Sequence, residues 1–372
     1  MRSTLFFLLI ASTAAAQPFG TFVRTGDMHV AREGHTATLL QDGRVLMAGG
    51  SSDTTAEVYD PATGTFSPTG NMMTARHGHT ATLLADGRVL VAGGNGLSSA
   101  EIYDPRTGEF TATGAMLEDQ FGHSATLLPN GKVLIAGGER AAPPWPTSAR
   151  AEIYDPASGT FSFAGSYAED GTLYPSGGPV WPTSNLLRDG RVLVAGENPP
   201  EIYDPSTDSF RTTGRLVSSS YRYGMNWQSA TTLRDGTVLV AGGSDDFDCA
   251  PIRDAEIYDP ATNAFTPVGP MTAERALHAA TLLADGTVLI TGGGDGWCGA
   301  PTLDGAELYI PSERSFMPDG FMTRTRSGHT ATLLNDGTVL IAGGFSLPYS
   351  VTNTAEVYRP STTRSGRRGT QR

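Results

Sequence analysis

Seven glutamates occupy one repeated place in the chain: Glu57, Glu101, Glu152, Glu201, Glu256, Glu307 and Glu356, each two residues before a tyrosine. Paired carboxylates are what glycosidases use to protonate a leaving oxygen and to activate water or attack the sugar. A carboxylate that recurs seven times in the same local sequence reads instead as a hydrogen-bond acceptor inside a repeated unit. Five of the seven histidines (His35, His79, His123, His278 and His329) are in step in the same way and also read as framework. His77 and His79 form an H-x-H pair, and His29 lies in the equivalent connection one unit earlier, so His29, His77 and a carboxylate are a minor candidate metal set. The run Asp245-Asp246-Phe247-Asp248 is unique to one unit. It is a candidate for a cation such as Ca²⁺, although it lacks the spacing of a recognised calcium loop. A nucleophile elbow, a phosphate-binding glycine loop and a zinc signature are absent, and the 46 glycines have turn and packing duties. No catalytic residue and no cofactor is therefore assigned.

The elements that carry these residues are read most cleanly from Arg76 to Gly114, RHGHTATLLADGRVLVAGGNGLSSAEIYDPRTGEFTATG. HTATLL alternates at period two, VLVAGG is an apolar run closed by glycines, AEIYD alternates again, and GEFTATG completes four short strands. Asp-Gly or Asn-Gly pairs begin at Asp42, Asp86, Asn130, Asp189, Asp235, Asp285 and Asp336, where a two-residue primed turn is expected. A glycine follows each at a fixed distance (Gly49, Gly93, Gly137, Gly196, Gly242, Gly292, Gly343), and a phenylalanine closes the unit at Phe66, Phe110, Phe161, Phe210, Phe265 and Phe316. One fourth strand is missing at the end and present at the front: Gly20-Thr-Phe-Val-Arg-Thr-Gly matches Gly64-Thr-Phe-Ser-Pro-Thr-Gly. A leading strand that completes the last sheet removes free edges. The expected fold is all-β: seven four-stranded antiparallel blades in a closed ring.

With the glycine pair, the Glu-x-Tyr-Asp strand and a closing aromatic, these units resemble kelch repeats, Phe standing where many kelch units have Trp. The resemblance spans Gly20 to Pro360 and implies a kelch β-propeller similar to the central domain of galactose oxidase. It implies no single function, because the fold hosts many. The copper radical site of that family would want two Tyr and two His on the ring axis, a Cys joined to one Tyr, and a Tyr-His dipeptide. No Tyr-His pair occurs here, so none of those residues carries over. A sugar-acting enzyme resembling the periplasmic kelch mutarotase that handles sialic acid is the alternative, weakened because that family has six blades.

Residues 1–16 have an early Arg, an apolar run Leu5 to Ile10 and Ala14-Ala15-Ala16, the pattern of a cleaved secretory signal. The expected organisation is a signal peptide over 1–16, the propeller over 17–361 and a disordered basic tail over 362–372, in a secreted or periplasmic protein without a transmembrane segment. The formal charge of −12, with Lys132 the single lysine, argues against a nucleic-acid partner. Cys249 and Cys298 fall in equivalent connections of adjacent units and are expected to form a disulfide in an oxidising compartment. A monomer is expected.

Comparing the units with one another locates the variable face. The Asp-to-Gly and Glu-to-Phe spacings never change, whereas the connections from strand four to the next strand one, and from strand two to strand three, vary widely. In an up-and-down blade both emerge on the same side. All four tryptophans (Trp145, Trp181, Trp227, Trp297) lie in these connections, as do Tyr221 and Tyr223. Aromatics on loops held by a rigid scaffold suit a carbohydrate or peptide ligand. Arg32, Arg76, Arg275 and Arg326 hold one position in consecutive units of the ring, where Gln120, Pro179 and Met225 stand in the others. They either grip an anionic ligand, such as an acidic sugar or a peptide carboxylate, or pair with the strand-three glutamates. The expected role is a non-catalytic binding module for a protein or glycan, contacted by these six aromatics and four arginines.

Overall fold

In the computed structural model the residues described are 19–140, 150–166, 181–196, 199–218, 220, 226–244, 250–294, 301–346 and 350–361. They form seven four-stranded antiparallel sheets arranged as the blades of a β-propeller. Blade two shows the pattern: Thr80–Leu83, Val89–Ala92, Ala100–Asp104 and Glu109–Ala112, each strand hydrogen-bonded to the next. The strand Thr21–Arg24 pairs with Ala355–Arg359, Phe22 opposite Tyr358, and so completes the seventh blade. Asp319, at the end of blade six, fixes this closure by accepting from the Gly20 amide at 3.2 Å and from the Tyr358 hydroxyl.

The apolar runs are continuous in the second strands because both faces of a blade are covered. In Val45–Ala48, Val45 and Met47 pack toward blade seven while Leu46 and Ala48 pack toward blade two. The core is thus seven layers between blades. The Tyr and Phe of each unit are cross-strand partners, Tyr59 with Phe66 at 4.8 Å between ring centroids and Phe22 with Tyr358 at 5.0 Å, which explains their fixed spacing.

The first hairpins differ from the expected two-residue primed turn. At Leu40 to Arg44 only the glycine is left-handed, Gly43 at φ 89°. Gly43 donates to the Leu40 carbonyl at 3.0 Å and Leu40 to the Arg44 carbonyl at 2.8 Å. This is a three-residue loop with a left-handed glycine bulge, and the aspartate earns its place by accepting from the Arg44 amide at 3.0 Å rather than by adopting a positive φ.

The glycine pair knits blades together. The Gly50 amide donates to the Arg76 carbonyl of the next blade at 2.7 Å. A Cβ on Gly49, which has φ 67°, would lie 2.5 Å from that carbonyl oxygen and 2.6 Å from His79 Cε1. The ends of second strands therefore meet the starts of first strands on one face, and the Asp-Gly hairpins lie on the other. No helix among the described residues is long and apolar enough to cross a membrane.

Candidate functional site

The residue just before the histidine position of each first strand is left-handed in all seven blades. Gly34, Gly78, Gly122 and Gly328 have φ of 58°, 61°, 66° and 61°, and Trp181, Trp227 and Leu277 have φ of 47°, 58° and 53°. Their backbones join in a belt on the variable face: Gly78 donates to Gly34 at 3.1 Å, Gly122 to Gly78 at 2.8 Å, Leu277 to Trp227 at 3.1 Å and Gly328 to Leu277 at 3.0 Å. Because the innermost strands follow directly, the belt rings the mouth of the central channel. A bulky residue in this conformation costs about 1–3 kcal/mol, which glycine avoids. Three consecutive blades nonetheless carry large apolar side chains there.

Trp181 is held on several sides. Its Nε1 donates to Glu139 Oε1 at 2.9 Å. Phe121 meets it edge-on at 5.9 Å, and Trp227 lies beside it at 6.3 Å with the rings inclined by 53°. The indole reaches across blade three: a Cβ on Gly122 would fall 2.7 Å from its Cδ2, and one on Gly78 3.6 Å from its Cη2. Both tryptophans remain half-exposed. The variable connections therefore bring Trp181 and Trp227 together as one preorganised aromatic surface. Trp145, Tyr221, Tyr223, Trp297, Cys249, Cys298 and Asp245 to Asp248 lie outside the described residues, as do 1–16 and 362–372. Sequence reasoning missed Phe121, Glu139 and Leu277. The signal for Leu277 was available in the register itself, where Gly, Gly, Gly, Trp, Trp, Leu, Gly precede the histidine position in turn.

Residues 228–272, most of blade five, match the model of the Kelch motif. The chain is a seven-bladed β-propeller that carries a Kelch motif in its fifth blade. Among solved structures the propeller is similar to a fungal alcohol oxidase of the AA5 family in complex with copper, with a TM-score of 0.75 and 19% identity over 93% of this chain and 77% of that one. At this identity the likeness is one of fold. No curated protein matches the chain.

The propeller withdraws the four arginines from the ligand role expected of them. Arg32, Arg76 and Arg326 have no exposed surface and Arg275 has 2%. Arg76 binds Glu101 through Nε at 3.2 Å and Nη2 at 2.9 Å, and its Nη1 donates to the carbonyls of Gly93 and Ser99. Arg32, Arg275 and Arg326 make the same kind of contact with Glu57, Glu307 and Glu356 at 3.2, 2.7 and 3.1 Å. The fork that could grip an anionic ligand is already filled. The glutamates also cap backbone amides, Glu101 Oε2 accepting from Met73 at 2.6 Å. Burial alone would raise the Glu57 carboxyl, but bonds from His29 and the charge of Arg32 hold it below its usual value. In blades three and five, where no arginine stands, burial prevails over the backbone bonds and pushes Glu152 and Glu256 up.

The in-step histidines link one blade to the last. His79 Nε2 meets Thr36 Oγ1 at 3.1 Å, His123 meets Thr80 at 3.0 Å, His278 meets Ser229 at 2.8 Å and His35 meets Thr330 at 3.1 Å. In blade six Ala279 replaces the threonine, and its cross-strand partner Thr291 supplies the hydroxyl to His329 at 2.9 Å. Burial, aided by nearby arginine charges, lowers His35, His79 and His278 to about 3. The H-x-H pair diverges, since the left-handed Gly78 leaves His77 exposed while His79 is buried. His29 is tied to Glu57 at 2.8 Å. Among the described residues no three of His, Cys, Asp or Glu gather as a metal set. With the in-step imidazoles committed to blade contacts, the described donors do not fit the copper of the AA5 structure. A groove of about 670 Å³ lies on the opposite face, lined by Val23, Arg24, Tyr59, Asp336 and Arg359 among others; Thr338 stands there where Arg44 in blade one spans to the Pro105 carbonyl.

Proposed function

We propose that this kelch propeller is a binding module without catalysis of its own, acting outside the cytoplasm and holding a glycan or protein ligand at the channel mouth on the variable face. The observation that carries the reading is the pair Trp181 and Trp227, set side by side at 6.3 Å on backbone that disfavours them, φ 47° and 58°. Strain of this kind persists where function requires the side chain, and half-exposed indoles offer large contact area at little entropic cost. The strand-three glutamates support the non-catalytic half of the reading. Each sits in repeated framework, and those of blades one, two, six and seven are bound by arginine.

Glycan-array and peptide pull-down measurements on the wild type and on a Trp181→Ala/Trp227→Ala variant test it. Interactions of the wild type are expected to be lost in the double variant while the far-ultraviolet dichroism is kept. Retention of every interaction would overturn the proposal.

A further inference from the structure

We infer that the ligand of the channel mouth is an uncharged saccharide, one pyranose ring of which lies on the Trp181 indole with Trp227 as its side wall. This deepens the binding-module reading and rests on it. Three observations converge on that ligand class.

The first is shape. The two indoles are inclined by 53° rather than stacked or opposed. They form a platform with a back wall, the rim of the indole reaching Gly78, beyond which the belt continues with the small residue Gly34. Among the described residues Phe121, Trp181 and Trp227 do not close around one point as an aromatic cage for a cation does, nor do they enclose the apolar pocket an aliphatic side chain would need. A pyranose presents one apolar C–H face to a ring and needs only the platform.

The second is charge. The arginines that could have received an acidic sugar or a carboxylate are buried and filled by glutamate, so they present no guanidinium edge to the mouth. Arg140, next to Glu139, is shared between Glu118 at 3.7 Å and Asp119 at 3.6 Å. With a formal charge of −12 on the chain, an anionic ligand is repelled rather than drawn in.

The third is the polarity of the surround. Glu139 sits at the indole nitrogen of Trp181 at 2.9 Å. Glu33 and His77, immediately before the belt residues Gly34 and Gly78, are exposed. Donors and acceptors around an apolar platform match a ring whose face is apolar and whose rim is hydroxyl.

The test uses the full chain and two single variants, Trp181→Gly and Trp227→Gly. Glycine is the residue four blades already have at this backbone position, so these variants keep the belt, which thermal melting checks. Tryptophan fluorescence and calorimetric titration are run with neutral oligosaccharides (cellohexaose, mannohexaose and a galactan oligomer) and with sialyllactose as the acidic counterpart. A neutral oligosaccharide is expected to quench and blue-shift the emission, each variant to bind it at least about tenfold more weakly, or about 1.4 kcal/mol, and sialyllactose not to bind. Preference for sialyllactose, neutral binding that both variants retain, or silence toward every neutral probe would overturn the inference. If no saccharide binds while a defined protein is captured in a Trp181-dependent way, the binding-module reading stands and the saccharide falls. If neither happens, both fall.

Discussion

At the scale of single residues, the histidines set how this propeller responds to acid. His35, His79 and His278 are buried and lowered to about 3, and His123 to about 4, by burial and, for the first three, neighbouring arginines. Their folded values lie below the ordinary unfolded value near 6.5, so their contribution is present above that pH and is lost on acidification. The unfolded chain then takes up protons the native chain refuses, removing about 1.4 kcal/mol of stability per histidine for each pH unit below 6.5. Urea unfolding followed from pH 7 to pH 5 should show this steep decline. His79→Gln should lessen the slope by one histidine's share and still fold, because blade five already has Gln228 in that register, donating to the Ala195 carbonyl at 2.8 Å. A flat profile would contradict the assignment. The arginines teach a different lesson at this scale. Their repetition was legible, but a repeated Arg and a repeated Glu read equally as a ligand fork or as a mutual pair. Burial, which sequence does not display, decides between them.

At the scale of elements, ring closure turns on the strand Thr21–Arg24. Without it the edge of Ala355–Arg359 would lose its partner, Tyr358 would lose Phe22 at 5.0 Å, and the buried Asp319 carboxylate would lose the Gly20 amide. Removing residues 17–24 should therefore lower Tm and yield self-associating species in sedimentation velocity, as an open sheet edge does. A monomer with unchanged Tm would show that the ring does not need this closure. This element was fully legible, because Gly20 to Gly26 repeats the pattern of Gly64 to Gly70 and the strand count demanded it. Turn geometry was less so: Asp-Gly fixed where the hairpin lies, but its three-residue loop depends on how far pairing continues, which packing between blades determines. The belt was hidden for another reason. A glycine before a histidine looks like any turn, and a tryptophan in a long connection looks like loop packing. The register before the histidine position aligns Gly122, Trp181 and Leu277, and the left-handed conformation they share shows that the alignment is structural.

At the scale of the whole molecule, the seven-fold frame and its broken symmetry divide the labour. Repeated hairpins in all seven blades and Arg–Glu pairs in four of them make the wheel, and blades four to six alter one belt position to build an asymmetric mouth. Fold and face could be read from the sequence because invariant spacings identify scaffold and variable ones identify freedom. The joining of Trp181 to Trp227 could not, since it depends on how far an indole reaches across the neighbouring blade. The most direct test is hydrogen–deuterium exchange of the propeller with and without a ligand found on the glycan array or by pull-down. The account predicts that binding slows exchange around 121–123, 181–183 and 227–229, and leaves the Asp-Gly hairpins at 42–44, 86–88 and 235–237 unchanged. Slowed exchange concentrated at those hairpins, with none around the two tryptophans, would contradict it.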